Sequence, residues 1–249
     1  MHLLGIDLGP GVRAAFTRRT PGASRGAYAE FDLAQHVGDD PAAVAANRAR
    51  LAREFGAPVV FVRQVHGVAV HRVDHATIRA RDVLHTDIAV ESGGDALVTA
   101  DAQVALGVLV ADCVPVLLAD PSAGVIGAAH AGRVGLLAGV LDAVLDEMVR
   151  AGADLGRIRA GLGPAAGPCC YEVPESMRAE SAAQLPAVYA TTTWGTASLD
   201  LRAGCHQVLS RRGVEVMTVG GCTLEDEDSF SYRRRTTTGR FAGVVRLLA

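Results

Sequence analysis

The chain contains no lysine, and all 24 of its basic residues are arginine. This absence excludes the P-loop lysine of nucleotide-binding proteins, the Schiff-base lysine of pyridoxal phosphate enzymes and any lysine nucleophile. Arginine can still bind small anions, because its guanidinium group donates parallel hydrogen bonds to a phosphate or carboxylate. The composition therefore leaves phosphate recognition open while it removes several catalytic classes.

A long apolar run and a basic leader are also missing. No uninterrupted apolar stretch reaches the roughly 20 residues that a membrane-spanning helix requires. The beginning, MHLLGIDLGPGV, has no positively charged segment before an apolar core, so it predicts a first strand and not a signal peptide. We therefore expect a cytoplasmic protein with no membrane partner. The net charge of -3 and the pI near 6.2 predict no nucleic-acid partner.

The cysteines are few and odd in number: there are five, at no zinc-finger spacing. With no secretion signal, reduced thiols are expected. Cys169 and Cys170 are adjacent, and neighbouring cysteines rarely bond to each other because of disulfide geometry. This leaves the pair either a role in core packing or a place in a pocket wall.

What the sequence does contain is enough apolar material for a sizeable core. The 249 residues are 49% hydrophobic and 20% charged, which predicts one globular domain over residues 1–249. Residues 105–110, 114–119 and 124–129 form three short apolar segments without polar alternation. Such segments are typical of strands that are covered on both faces of a sheet. Further strands are predicted at residues 3–7, 12–18, 58–64, 68–73, 95–99, 158–162 and 214–219, with a last strand at the end of the chain.

Four helices are predicted from caps and periodicity. Asp39-Asp40-Pro41 begins a helix that ends near Phe55, before Gly56. The others cover residues 134–149, 174–185 and 202–212. Arg48 lies inside the first helix and is expected on its solvated face, as arginines usually are.

Reactive side chains follow the predicted strands. Asp112 and Cys113 come after one apolar segment, His130 after another, and His66 after residues 58–64. Cys113 and His130 are 17 positions apart, which fits two neighbouring strands joined by a turn and suits a metal or an activated thiolate. The alternative is that a buried cysteine and histidine only fill space. His71, His75 and His85 fall in a polar segment, reaching to Gly94, that is predicted to be a surface excursion.

Six motifs, in order, resemble the laccase-domain family, which is known both as multicopper polyphenol oxidases and as purine nucleoside phosphorylases. They are QVHG (64–67), DALVT (95–99), ADCVPVLLAD (111–120), AAHAG (128–132), GPAAGPCCYEV (163–173) and FSYRRRTTTGR (230–240). The resemblance covers nearly the whole chain. It implies an α/β fold, a single-domain sandwich of mixed β-sheets flanked by helices, similar to the catalytic domain of cytotoxic necrotizing factor.

The resemblance also implies a metal site. The family's ligands fall on His66, Cys113 and His130, and two imidazoles with one thiolate leave a fourth position of a catalytic zinc site open. Zinc is the expected metal, and copper also suits these ligands. A monomer or weak homodimer is expected.

The implied reaction is phosphorolysis of adenosine, inosine or methylthioadenosine to the free base and ribose 1-phosphate, with adenosine deamination as a side activity. Arg19, Arg48 and Arg234 are the candidate phosphate ligands, and Asp112 and Glu172 are the candidate proton shuttles for deamination. Two alternatives remain, a copper-dependent polyphenol oxidase and a non-catalytic metal-binding protein.

The sequence departs from the family pattern at three places. Arg133 stands where the family usually carries an aromatic residue after HAG, and Asp32 stands where it usually carries asparagine. The stretch between His66 and Asp95 is longer than usual. These differences bear on substrate preference more than on the metal ligands.

Overall fold

The computed structural model describes residues 2–79 and 93–248. The strands within this part are Leu3–Ile6 (β1), Val12–Thr17 (β2), Val59–Val60 (β3), Val70–Arg72 (β4), Ala96–Thr99 (β5), Ala105–Val110 (β6), Val114–Asp120 (β7), Val125–Ala131 (β8), Arg159–Leu162 (β9), Tyr189–Thr191 (β10), Ala197–Leu199 (β11), Glu215–Thr218 (β12) and Phe241–Leu247 (β13). The helices are Pro41–Phe55 (α1), His75–Arg79 (α2), Arg133–Ala138 (α3), Val140–Arg150 (α4), Glu175–Gln184 (α5) and Leu201–Arg211 (α6).

Two mixed sheets form the centre of the molecule. One has the strand order β1-β2-β13-β6-β3 and the other β12-β9-β7-β8-β5-β4, and each contains both parallel and antiparallel pairs. A separate antiparallel hairpin joins β10 to β11. The predicted α/β class with mixed sheets and helices is confirmed, whereas the likeness to cytotoxic necrotizing factor and the one-domain boundary stay predictions.

The apolar strands are covered on both faces, as their composition predicts. Leu106 and Val108 of β6 pack against Leu117 of β7 and Ile126 of β8, between the two sheets. The opposite faces are closed by helices. On one side, α1 packs against Leu109 and Val244. On the other side, α4 and α6 pack against Val116 and Leu118. No position along these strands is left for water, so hydrophobic and polar residues do not alternate.

Helix α1 begins and ends where its capping residues predict. The Asp40 carboxylate accepts a hydrogen bond from the backbone N–H of Ala42, and Gly56 ends the helix in the left-handed conformation. The solvated position expected for Arg48 is wrong, because only 2% of Arg48 is exposed. Its Nε donates to the backbone oxygen of Leu33, and its guanidinium lies 4.7 Å from the centre of the Phe61 ring.

Two other predictions need correction, and one element was not predicted. The single helix expected over residues 134–149 is two helices, because Gly139 adopts φ +98° between α3 and α4. The strand expected over residues 58–64 is only the two-residue β3, because further along β6 the Leu109 backbone bonds to the side chain of Gln64 and not to a backbone partner from this segment. The hairpin β10–β11 has no counterpart among the predicted elements. The predicted surface excursion lies largely outside the described residues, which is also where His85 falls.

None of the helices among the described residues has the length and apolar character needed to cross a membrane.

Candidate functional site

The β7–β8 hairpin brings two of the predicted site residues together. Pro115 pairs with His130 and Val114 with Ala131, so Cys113, one residue before β7, lies beside the end of β8. The sequence predicted that His130 follows its strand. Instead it lies inside β8, because the strand continues to Ala131. His66 joins them from the loop after β3, where its backbone adopts φ +59°. The predicted meeting of the three side chains is observed.

The three side chains form a compact cluster of metal-ligand type. Their ligand atoms all lie within 4.8 Å of one another, and Cys113 Sγ is 3.8 Å from His66 Nε2. The two imidazole rings meet edge to face with their centroids 4.7 Å apart. Gly132 permits this approach, since a Cβ there would stand 2.8 Å from the His66 ring and 3.1 Å from Cys113 Sγ. A thiolate and two imidazoles so placed fit a tetrahedral ion such as zinc.

Electrostatics favour a thiolate at Cys113. Burial alone would raise the pKa of this thiol, but the charge and hydrogen bonding of His130, together with those of His66, outweigh burial and lower the pKa to about 6. Burial would likewise lower the pKa of His130, but Cys113 and Asp95 outweigh it and raise the pKa to about 9. Without a metal, the two residues therefore stabilise each other as a thiolate and an imidazolium.

Asp95 positions both histidines, a role that sequence reasoning missed although the residue lies in the DALVT motif. Its Oδ1 accepts from His130 Nδ1 at 2.7 Å and from the backbone N–H of His66 at 2.9 Å. Its Oδ2 accepts from the N–H groups of Val65 and Gly67. Burial would raise the pKa of the Asp95 carboxyl, but these hydrogen bonds, His130's first, lower it. Because Nδ1 is bonded to Asp95, Nε2 of His130 is the nitrogen left for a metal.

Gln64 anchors the same loop to β6. Its side-chain Nε2 donates to the Leu109 backbone oxygen, and its Oε1 accepts from the Leu109 N–H, each at 2.8 Å. The side-chain amide thus pairs with β6 beyond the last backbone pair of β3, which joins Val60 to Leu106. This contact explains why the QVHG motif carries a glutamine two residues before His66.

We expect Asp95→Asn to weaken zinc binding at the cluster by about 10–100-fold, the usual cost of losing a hydrogen-bonded partner behind a metal ligand. Asparagine keeps the shape, but its amino group must face either His130 Nδ1 or the N–H groups of residues 65–67, all of which donate. Competition with a zinc-binding dye measures the loss. Asp101→Asn is a matched control, because Asp101 accepts backbone hydrogen bonds outside the cluster. Equal affinities in the two variants would mean that Asp95 does not control the ligand orientation.

The cluster lies in the wall of a cavity of about 450 Å³. The cavity is within the usual size of sites for small ligands. Besides the three cluster residues and Asp112, its lining includes two tyrosines and two arginines, namely Tyr171, Tyr232, Arg233 and Arg240. The guanidinium of Arg233 lies 4.5 Å from the Tyr171 ring centre, and that of Arg240 lies 5.8 Å from the Tyr232 ring centre. The cavity therefore combines aromatic faces with positive charge.

The predicted phosphate ligands do not line this cavity. Arg19 and Arg234 line a separate cavity of about 310 Å³, and Arg48 is buried against Phe61. Arg234 donates to the backbone oxygens of Thr223 and Asp226, which ties it to a surface turn. Arg233 and Arg240, which were not among the predicted phosphate ligands, line the cavity beside the cluster instead.

The two predicted proton shuttles differ in position. Asp112 lines the cavity, with φ +93°, and its carboxylate accepts from Thr223 Oγ1 at 2.6 Å and from the Arg233 N–H at 2.7 Å. Glu172 is not among the residues that line the cavity, and its carboxylate accepts from Trp194 Nε1 at 3.0 Å. Of the two, only Asp112 is close to the cluster.

Comparison with known proteins gives a consistent result. Residues 13–248 match the family model described as multi-copper polyphenol oxidoreductase laccase. A purine nucleoside phosphorylase of Streptomyces coelicolor is 52% identical over 239 residues, covering 94% of this chain and 95% of its own. An adenosine deaminase, RL5, from an unknown prokaryotic organism is 36% identical over 249 residues, covering 95% of this chain and 94% of its own. The solved structure of a Neisseria meningitidis protein aligns with a TM-score of 0.86 at 32% identity, covering 100% of both chains.

Proposed function

Because this chain belongs to the multi-copper polyphenol oxidoreductase laccase family, we propose that it is a purine nucleoside phosphorylase whose active site is the cavity beside His66, Cys113 and His130. The relative from Streptomyces coelicolor carries the same activity in its name at 52% identity. The observation that carries the proposal is that two arginines and the three ligand-type side chains share one cavity. Phosphate and a nucleoside can therefore meet there.

Phosphorolysis requires an anion close to the anomeric carbon of the sugar. A phosphate oxygen forms the new bond to that carbon, the bond to the purine nitrogen breaks, and its electron pair leaves with the base, which takes up a proton. We assign phosphate to Arg233 and Arg240. Each guanidinium offers several N–H donors, and the backbone oxygens of Glu172, Thr238 and Gly239 hold them in place.

The purine and the metal are assigned to the other residues that line the cavity. The rings of Tyr171 and Tyr232 offer apolar faces for stacking a base. Zinc held by His66, Cys113 and His130, with copper as the alternative, would supply a Lewis acid with one open position. Asp95 keeps His130 oriented and keeps the His66 loop closed over the end of β8.

The test is incubation of adenosine, inosine and methylthioadenosine with and without phosphate, followed by chromatography of the base and sugar products. We expect base and ribose 1-phosphate only when phosphate is present. Arg233→Gln and Arg240→Gln should each raise the KM for phosphate about 10-fold or more, because a hydrogen bond to a charged group contributes about 1.5–3 kcal/mol. Release of base at the same rate without phosphate would replace phosphorolysis by hydrolysis.

Arg19→Gln is the matched variant for the second cavity, which is lined by two of the three arginines predicted as phosphate ligands, Arg19 and Arg234. It should leave the KM for phosphate unchanged, since Arg19 bonds to the backbone oxygen of Ala29 and stacks on Phe230. A raised KM for phosphate in Arg19→Gln, with normal values in Arg233→Gln and Arg240→Gln, would assign phosphate to the second cavity instead.

Adenosine deamination is the second candidate, favoured by the 36% identity to an adenosine deaminase and by the carboxylate of Asp112 in the cavity wall. In this reaction water adds at C6 of the purine and ammonia leaves, so a carboxylate must carry a proton to the amine. Loss of adenosine absorbance in phosphate-free buffer would detect it. Wild-type deamination rates in both Asp112→Asn and Glu172→Gln would exclude these residues as the shuttle.

A further inference from the structure

A second group of ligand-type side chains lies outside the three-residue cluster. It comprises Cys169, Cys170, Cys222 and Glu225, whose sulfur and carboxylate atoms all lie within 4.8 Å of one another. Only the adjacent pair is evident from the sequence, because Cys222 and Glu225 follow more than fifty residues later. We call this group the sulfur cluster.

Two backbone turns face each other across the sulfur cluster. In one, the N–H groups of Cys170 and Tyr171 donate to the Gly167 oxygen, and in the other the N–H groups of Glu225 and Asp226 donate to the Cys222 oxygen. The turns are joined by an isolated bridge between Ala165 and Cys222. All four side chains therefore lie on short, hydrogen-bonded loops that this bridge joins.

The backbone approaches the sulfurs closely at Gly167. Its N–H donates to Cys222 Sγ at 3.2 Å, and a Cβ at this position would lie 3.2 Å from Cys169 Sγ and 3.4 Å from Cys222 Sγ. N–H groups directed at sulfur are the kind of outer contact that orients and stabilises thiolate ligands. Only glycine leaves the sulfurs this much room.

The distances within the cluster are those of groups gathered around one point. Cys169 Sγ is 2.9 Å from Cys170 Sγ and 3.5 Å from Glu225 Oε2. Three sulfurs and a carboxylate supply the four protein ligands of a closed tetrahedral site. A tetrahedral ion with metal–sulfur bonds of about 2.3 Å spaces its sulfurs roughly 3.8 Å apart. Cys169 and Cys170 must therefore rotate slightly away from each other when an ion binds.

We propose that the sulfur cluster is a second metal site, separate from the cavity, which binds a thiophilic tetrahedral cation of the zinc class. Soft thiolates select such ions over magnesium or calcium. Because all four positions come from the protein, the site is structural and leaves no position for substrate. The proposal is independent of the nucleoside chemistry proposed above.

The position of the site gives it a function. Thr223 is next to Cys222, and its hydroxyl donates to Asp112 Oδ1 at 2.6 Å. Ala166 is next to Gly167, and its N–H donates to the backbone oxygen of Asp112 at 2.9 Å. Both loops of the sulfur cluster thus end on the residue that precedes Cys113. A metal there fixes the backbone that presents Cys113 to the cavity.

Metal counting on the full chain tests the proposal. Protein saturated with zinc and freed of excess should hold about two ions per chain, with about one in Cys222→Ser, one in Cys113→Ala and none in the double variant. Cys205→Ala is the matched control, because Cys205 is buried in α6 and belongs to neither cluster, and it should keep both ions. In the cobalt-substituted protein, Cys113→Ala should retain most of the sulfur-to-metal absorption, since three of the four thiolates remain.

A milder pair of variants covers the case in which Cys222→Ser does not fold. Glu225→Gln changes one exposed ligand and should weaken zinc binding at the sulfur cluster at least 10-fold, whereas Glu227→Gln, exposed in the same segment, should not. An unchanged metal count in Cys222→Ser, unchanged affinity in Glu225→Gln, or a disulfide among the three cysteines in freshly purified protein would overturn the proposal.

Discussion

Cys113→Ala is expected to remove one metal ion per chain and to reduce phosphorolysis by more than about 100-fold. Loss of a hydrogen-bonded partner behind a metal ligand already costs about 10–100-fold, and loss of the ligand itself costs more. The thiolate is the anionic member of the cluster, with its pKa lowered to about 6. Alanine leaves two imidazoles, which hold a divalent cation much less tightly than the complete set.

Elemental analysis and the rate of base release from inosine measure the two effects. Cys205→Ala controls for the loss of a cysteine elsewhere, because Cys205 is fully buried in α6 and belongs to neither cluster. It should keep the wild-type metal count and rate. If Cys113→Ala also keeps its metal and its rate, the cluster beside the cavity neither binds the ion nor takes part in the reaction.

The hairpin that carries Cys113 and His130 is predictable because its causes are local. Apolar runs that lack polar alternation require cover on both faces, and the turn at Asp120 and Pro121 fixes which residues pair. Strand β6 agrees with its prediction residue for residue, and β7 differs by one residue at its end. His66 was selected because it follows the strand predicted over residues 58–64, and the resemblance then grouped it with Cys113 and His130 as metal ligands. The match of residues 13–248 to the family model confirms that resemblance.

What the sequence does not predict depends on contacts between distant segments. Arg48 is buried because Leu33 offers a carbonyl and Phe61 offers a ring, and neither lies in its helix. Arg233 and Arg240 line the cavity, and Arg234 between them does not. A turn closed by a hydrogen bond from the Arg235 N–H to the Ser231 oxygen directs Arg233 and Arg234 to different surfaces. Asp95 was overlooked since its four donors come from residues 65–67 and 130. Arginine and aspartate are usually exposed, so composition alone points the wrong way.

Asp32, which stands where the family usually carries asparagine, offers a strong test of buried charge. Its side chain is fully buried, and its Oδ1 accepts from the N–H groups of Ala34 and Arg240. Its Oδ2 is buried without a hydrogen-bond partner. Burial raises the pKa of this carboxyl to about 6, against the hydrogen bonds that lower it. The folded protein therefore opposes ionisation of Asp32.

The pH dependence follows from the raised pKa. Between about pH 4 and pH 6 the folded chain holds a proton that the unfolded chain has released, so the free energy of unfolding falls as the pH rises through this window. Above this window the folded chain is destabilised by the full amount, about 3 kcal/mol of the free energy of unfolding for a pKa raised by about two. Below pH 4 Asp32 is protonated in both the folded and the unfolded chain, so this destabilisation disappears.

Asp32→Asn is expected to increase the free energy of unfolding by about 1–3 kcal/mol at pH 8, and to leave it nearly unchanged at pH 4. The asparagine oxygen can keep both N–H donors of Ala34 and Arg240, while no charge remains to be buried. Urea unfolding of both proteins at pH 4, 6 and 8, in the same chelating buffer, measures the difference. Asp40→Asn is the control, because this exposed residue caps α1 and asparagine caps a helix equally well. A difference at pH 8 no larger than that of the control would show that the Asp32 carboxylate is stabilised in the folded chain, and the cause would then lie in its contacts with Ala34 and Arg240.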